Sequence, residues 1–422
     1  MRKKIKWVAA ILFAAGSICF GWSGSEGVKK AYAEELASTL VYGGVDTDEK
    51  TKETIVNFSK EQYHHYAEDT TESYEVELAS DAQFTNPKRY ETTENPVKIA
   101  KEEFGKDGGK LYFRVRHCVK PASAAAVTGE WMTARELAYI KISKKNFPGL
   151  YQLLKKGGEA MNFEGDYRKE IYDKNADGWL DPEEIQSLTS LSTENHLKKK
   201  KGKYTRIPTA KVSSLQGVEY LTNLHDISLV HYSGKKMDLR KNTIIWIDLR
   251  GITSKQFTLL APDAKTVHVE PAIENKMKKM DLSSCVSAVD LSAYGNFATK
   301  NVKLPKANKK LKILSVSDIG LKTLNLNKYK NLQQIYVYNC PVKKVKVNKC
   351  KKLRYVYFFY CNKIKSLNLS ASKKMVGIDL YRSTSLSKRK IKVKKGTKIT
   401  LNQGKWWYET TSYKNDMNKI YK

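Results

Sequence analysis

The sequence predicts a mainly β chain: an N-terminal β-sandwich, a short helical unit around an oxygen-rich loop, and a C-terminal β-solenoid of stacked coils. Three observations predict it. Apolar and polar residues alternate with period two before residue 145. The stretch from Asp173 to Glu184 carries oxygen-bearing side chains at regular intervals. Between residues 207 and 402 one apolar pattern recurs every 20–25 residues.

The chain opens like an exported one. Met1 to Lys6 carries four positive charges, residues 7–22 carry none, and Ala31-Tyr32-Ala33 offers small residues at both cleavage-determining positions. This is the pattern of a signal peptide over residues 1–33, with Glu34 as the first mature residue. An uncleaved anchor is the competing reading, but the apolar run falls short of the ~20 residues a spanning helix needs. Ile18 before Cys19 is too large for a lipoprotein cleavage site. No later stretch reads as a transmembrane segment, and residues 415–422 carry no sorting motif. The expected location is secreted or at the cell surface.

Residues 34–145 read as strands. Tyr74-Glu75-Val76-Glu77-Leu78 and Leu111-Tyr112-Phe113-Arg114-Val115-Arg116 both alternate, residues 105–109 form a glycine-rich turn, and Glu136 to Ser143 is a last strand. The order of these runs resembles a fibronectin type III domain of Gram-positive surface proteins. The departure is Leu111, where that family usually has a tyrosine. The resemblance implies a spacer or an adapter.

Residues 146–190 change to helical spacing. Calcium is a hard cation that takes about seven oxygens. Asp173, Asn175 and Asp177 supply side-chain oxygens at loop positions 1, 3 and 5, Trp179 its carbonyl at 7, Asp181 a ligand at 9 and Glu184 a bidentate carboxylate at 12. Gly178 at position 6 permits the sharp turn. Leu180 is the apolar residue that ties such a loop to a partner. Phe163, Tyr167 and Ile171 give the entering segment helical spacing, and Pro182 opens an exiting helix to about Leu188. The loop is of the EF-hand type, and the expected cofactor is Ca2+. It has no second loop: Asp46-Thr47-Asp48 meets Lys50 where the next ligand belongs. A paired, dockerin-type unit is therefore not expected. Residues 191–206, with Leu197 to Lys203, read as a basic linker.

From 207 to 402 the pattern is apolar-x-x-apolar-x-apolar, starting at Leu224, Ile244, Ala264, Val286, Leu311, Leu332, Leu353 and Met375. Each of the best turns holds a second run, as in Leu321-Leu324-Leu326. Such residues are buried only if coil stacks on coil. The array resembles a leucine-rich-repeat solenoid. In the secreted Gram-positive surface proteins it resembles, one calcium loop sits directly before the array, and residues 213–224 are similar to the opening repeat there. A solenoid needs its first hydrophobic coil covered, and the loop unit is the expected cover. Residues 403–422 form a tail.

Cys340 and Cys361 stand eight residues after Leu332 and Leu353, where a small polar group satisfies backbone at a bend. Cys285 and Cys350 take the equivalent place after the second strand. With Cys118 they are the five cysteines that remain once cleavage removes Cys19, an odd, sparse set without a Cys-x-x-Cys pair, so neither a disulfide framework nor a zinc site is expected.

Outward positions of successive strands hold Tyr336, Tyr338, Tyr355, Tyr357, Phe359, Tyr360 and Tyr381. Coils ~4.8 Å apart would stack Tyr336 on Tyr357, and Tyr338, Phe359 and Tyr381 on one another. Such a ladder takes sugar rings or peptide side chains, or simply stabilises the sheet. The other extended side is basic, with Lys322, Lys328, Lys343, Lys344, Lys346, Lys349 and Lys365.

Charge is split. The chain is +32 overall, but residues 34–190 hold 21 basic and 29 acidic residues, and residues 191–422 hold 49 and 14. The basic half attracts polyanions such as teichoic acids, acidic glycans or nucleic acid. Lysine over arginine favours diffuse attraction over shaped phosphate recognition. Catalytic signatures are missing: His64-His65 stands near no zinc pattern, and His117 and Cys118 point to opposite faces of a strand. The expectation is a calcium-binding, non-enzymatic interaction protein for an extracellular protein or glycan. The alternatives are a structural wall component held by charge and a polyanion binder.

Overall fold

The computed structural model describes residues 37–402 apart from 65, 67, 123, 157, 162–166, 171–172, 176, 194–196, 201–202, 207–211, 307, 384–385, 387–389 and 396–399. The expected signal peptide and the tail from 403 lie outside the described residues. The chain divides into two units, 1–103 with 110–137, and 104–109 with 138–422. No helix among the described residues is long and apolar enough to cross a membrane.

The first unit holds two antiparallel sheets. In one, Thr54–Lys60 pairs with Leu40–Thr47 and Val97–Ile99. In the other, Thr71–Ala79 pairs with Lys88–Thr92 and Gly108–Lys120. The alternation read from the sequence supplies the core: Tyr74, Val76, Leu78, Phe113 and Val115 are buried. Rings meet between the sheets, Phe58 on Tyr74 with centroids 5.0 Å apart and Tyr42 near Phe113 at 6.3 Å. Glu77 is also buried, where Arg89 and Arg114 hold its carboxylate.

In the second unit the helix Pro148–Lys156 and the helix Pro182–Ser187 bring Leu150, Leu153 and Ile185 into one continuous core with the inward residues of every later coil, from Ile227 to Ile378. Ten parallel strands then form one sheet: Ser190–Ser192, Asp226–Val230, Trp246–Ile252, Thr266–Pro271, Asp290–Tyr294, Ile313–Ser317, Gln334–Tyr338, Tyr355–Phe359, Gly377–Asp379 and Thr400–Asn402. A second, interrupted row of parallel strands runs through Lys236–Asp238, Gln256–Leu260, Lys279–Asp281 and Asn301–Lys303, then Thr323–Asn325 with Lys344–Lys346, and Leu367–Asn368 with Ile391–Lys392. This is a β-solenoid, one coil per repeat.

Three expectations change. The entering segment of the loop is not helical: Tyr167–Glu170 pairs antiparallel with Gly158–Met161. Inter-strand bonds satisfy this backbone, and helical spacing alone did not exclude that; Phe163 and Ile171 lie outside the described residues. The ten-stranded sheet starts at Ser190, and Leu197–Lys200 pairs with Lys203–Arg206, so the expected linker carries strands. The fourth repeat starts at Ala288, not Val286. Leu291 lies opposite Val267 and Leu314, Ala288 is buried, and Val286 is 41% exposed. Both registers satisfy the apolar pattern, and stacking on the neighbouring coils selects one.

Six of the described coils turn at a left-handed residue one place before a buried one. His231, Gly251, Asp318, Asn339, Tyr360 and Arg382 have φ between 48° and 65°. The N–H of Asp318 donates to Tyr338 O at 3.0 Å, that of Asn339 to Phe359 O at 2.8 Å and that of Tyr360 to Tyr381 O at 3.1 Å. The bond to the next coil offsets the strain of a left-handed non-glycine residue.

Candidate functional site

The turns set the face of the ten-stranded sheet. Behind them, Cys340 Sγ donates to Tyr338 O at 3.1 Å, Cys361 Sγ to Val337 O at 3.4 Å and Cys350 Sγ to Leu326 O at 3.3 Å. Ser383 Oγ continues the row on Phe358 O at 2.8 Å. Burial pushes the thiols of Cys285 and Cys340 up to about 12 and those of Cys350 and Cys361 up to about 11. Thiols held in that form are poor nucleophiles. Cys118, Cys285, Cys340, Cys350 and Cys361 are all free and buried.

The outward side chains form two rows. One runs Asp248, His268, Ser292, Ser315, Tyr336, Tyr357 and Asp379; the other runs Tyr294, Ser317, Tyr338 and Phe359. Three small residues, Ser292, Ser315 and Ser317, leave a hollow of about 510 Å³. Tyr294 walls it on one side, and Tyr336, Tyr338 and Phe359 on the other. Tyr294 is braced by His268, edge to face at 4.7 Å. His268 Nε2 lies 3.5 Å from Glu270 Oε2, and Arg250 holds the buried Asp248 beside it. The hollow offers hydroxyls between ring faces, which is the chemistry of sugar and peptide side-chain recognition.

The sequence named part of this face. Tyr336 and Tyr357 are stacked as expected, with centroids 4.3 Å apart. Tyr338, Phe359 and Tyr381 are neighbours but tilted, by 37° and 51°, rather than stacked. Tyr355 and Tyr357 are not exposed ligand contacts: they are 1% and 3% exposed and form their own buried pair. Their strand is filled with aromatic rings on adjacent positions, and the rings shield one another. Tyr360 and Tyr381 are partly exposed at the edge, edge to face at 5.8 Å. Tyr294 and the serines were missed. The Val286 register set Tyr294 two positions out of line with Tyr338, and serine carries no ring to extend the ladder.

On the second row of strands, Lys322, Lys343, Lys344 and Lys365 are exposed and Lys346 is partly so. Buried Leu324 and Val345 alternate with them.

The loop from Asp173 is folded around its own oxygens. Asp173 accepts from the N–H of Asp177 at 3.1 Å and of Gly178 at 2.9 Å. Asp177 accepts from Trp179 N–H at 2.8 Å. Gly178 has φ 80°, as the turn requires. Glu184 accepts from Lys174 N–H at 2.7 Å through one oxygen and from Asp181 N–H at 3.2 Å through the other. Asp181 returns a bond to Glu184 N–H at 2.8 Å, a capping box for the helix Pro182–Ser187. Burial, then the charges of Asp181 and Asp173, push the Glu184 carboxyl up to about 7 against these bonds. Lys174 pairs with Glu183 instead, at 3.8 Å. Of this all-oxygen set Asp181 and Glu184 are buried, Asp173 and Trp179 are half-buried, and Asn175 and Asp177 are exposed; oxygen donors suit a hard cation, although among the described residues no three Asp, Glu, His or Cys side chains converge at metal-binding distance. Leu180 is fully buried, and Trp179 and Leu180 pair antiparallel with Lys141 and Ile140.

No family model matches this sequence. No curated protein matches it either. Among solved structures, the functional domain of InlJ from Listeria monocytogenes, described as including a cysteine ladder, aligns at 12% identity with a TM-score of 0.20. The alignment covers 59% of this chain and 66% of that one, a little under two thirds of its length. At that TM-score the likeness carries no argument.

Proposed function

We propose that this is an exported, calcium-binding, leucine-rich-repeat-like protein that acts by binding an extracellular protein or glycan, without catalysis. The hollow between Tyr294 and Tyr336 carries the reading: hydroxyls and ring faces stand together on a rigid parallel sheet. Ring faces take the apolar face of a sugar or an aliphatic side chain, and hydroxyls fix its orientation. The first unit serves as a fibronectin type III-like spacer.

Calcium in the EF-hand-like loop would be held by Asp173, Asn175, Asp177, the Trp179 carbonyl, Asp181 and Glu184. Bound there, it supplies charge to a buried carboxylate that has no cation of its own among the described residues. The same helix lends Ile185 to the solenoid core, so the loop would fix the cover of the first coil.

The test is a binding screen of the mature protein against defined glycans and surface extracts, repeated with Tyr338→Ala. Tyr338 is 43% exposed. Saturable binding that survives added salt and is lost in the variant supports the reading. Binding retained by the variant sinks it.

A further inference from the structure

From Asn301 to Val376 the chain has eighteen lysines and one carboxylate, Asp318. That carboxylate is engaged, by Ser317 Oγ at 2.6 Å and Asn339 Nδ2 at 2.7 Å. Among the described residues of the solenoid, the ion pairs end at Lys303 with Asp281.

The lysines are not scattered. Ile313, Gln334, Tyr355 and Gly377 lie opposite one another on four successive strands. Four residues before each stand Lys309, Lys330, Lys351 and Lys373, one per coil, all exposed. Repeated turn bonds hold them in line: Asn331 Nδ2 donates to Lys309 O at 2.6 Å, and Ser372 Oγ to Lys351 O at 3.2 Å. Lys328 and Lys349 form a second track beside them, fixed by the register of Asn325 on Lys346. Lys306 lies close enough to Lys328 that its charge, after burial, holds that ammonium below its ordinary range.

Coils stack ~4.8 Å apart, so the four lysine positions repeat along about 14 Å of the stacking axis. Like charges at that spacing repel, and no carboxylate in the turns relieves them. We propose that this lysine rail, at the turn leading into the ten-stranded sheet, binds a flexible linear phosphate polymer laid along the stacking axis. A flexible chain can place one anionic group at each coil. Lysine suits it, because an ammonium is a point charge that needs no planar fork of acceptors.

The probe is inorganic polyphosphate, titrated into the full chain at several salt concentrations. Replacing Lys309, Lys330, Lys351 and Lys373 together by Gln is expected to weaken binding more than tenfold. It should also flatten the slope of log K against log salt by about 3, from roughly 0.7 per lysine on a single strand. The charge-matched control replaces Lys322, Lys343, Lys344 and Lys365, on the second row of strands, and should change affinity less than threefold. Equal loss in the two variants, both with unchanged melting, overturns the rail in favour of diffuse charge. Tighter binding of duplex DNA than of polyphosphate overturns the phosphate-polymer assignment. A rail variant that fails to fold is replaced by the four single Lys→Gln variants; if none of these weakens binding, the proposal falls.

Discussion

Tyr336 and Tyr357 lie face to face, with ring centroids 4.3 Å apart and planes 2° from parallel. The pair joins two coils across the sheet and divides its labour: Tyr336 lines the hollow, whereas Tyr357 is buried. Phe359 lies nearly parallel to Tyr357 at 6.3 Å. Stacked rings of this kind add to cross-strand stability.

Tyr357→Ala should therefore cost about 3 kcal/mol of solenoid stability through the cavity it leaves. Tyr338→Ala, at an exposed site, should change stability by no more than about 0.5 kcal/mol. Denaturant melts of the two variants check this, and similar losses would contradict the division.

Calcium should stabilise the second unit by about 2.7 kcal/mol at a hundredfold excess over its dissociation constant. Glu184→Gln should abolish that increment, because it removes the charge that a cation would neutralise. Calorimetry in calcium and in chelator measures both. A solenoid transition that ignores calcium in the unmodified chain argues against the loop as a metal site.

Thiol reagents should leave the folded mature chain, which lacks Cys19, untouched and label Cys118, Cys285, Cys340, Cys350 and Cys361 after denaturation. Cys361→Val should cost about 1–3 kcal/mol, since it removes the donor to Val337 O and Phe359 O. Cys361→Ser should cost less, as Ser383 fills the same place one coil on. Rapid labelling of the native chain would contradict the ladder.

His117 should make the first unit acid-sensitive. Its Nδ1 accepts from Ser38 N–H at 3.0 Å, and its Nε2 lies 3.0 Å from Glu72, which Lys60 also holds. Burial, then the Lys60 charge, lowers its pKa from 6.5, with Glu72 opposing. The unfolded chain therefore takes the proton first as pH falls. Stability should drop below pH 6.5, by at most about 1.4 kcal/mol per pH unit, until the folded form also protonates. His117→Gln should flatten that limb of a melting-against-pH curve. An unchanged limb would assign the acid sensitivity elsewhere.

Much of this was legible in the residues. Tyr74 to Leu78 and Leu111 to Arg116 alternate because one face of each strand is buried, and they form strands where read. Leu311-x-x-Leu314-x-Val316 and its repeats give the solenoid, because only stacking buries an apolar residue that recurs in every coil. Cys340 and Cys361 follow from their place in the repeat.

The sequence by itself determined the class of the chain, the coil-forming residues and the oxygen-rich loop, since these depend on local spacing and side-chain chemistry. The tertiary structure decided what spacing leaves open. It chose Ala288 over Val286, and it drove Tyr360 and Arg382 into left-handed turns that neither residue favours alone. It buried Tyr355 and Tyr357 and left Ser292, Ser315 and Ser317 to form the hollow. Each of these is set by the coil on either side, and contacts between coils are not written in the order of residues within one.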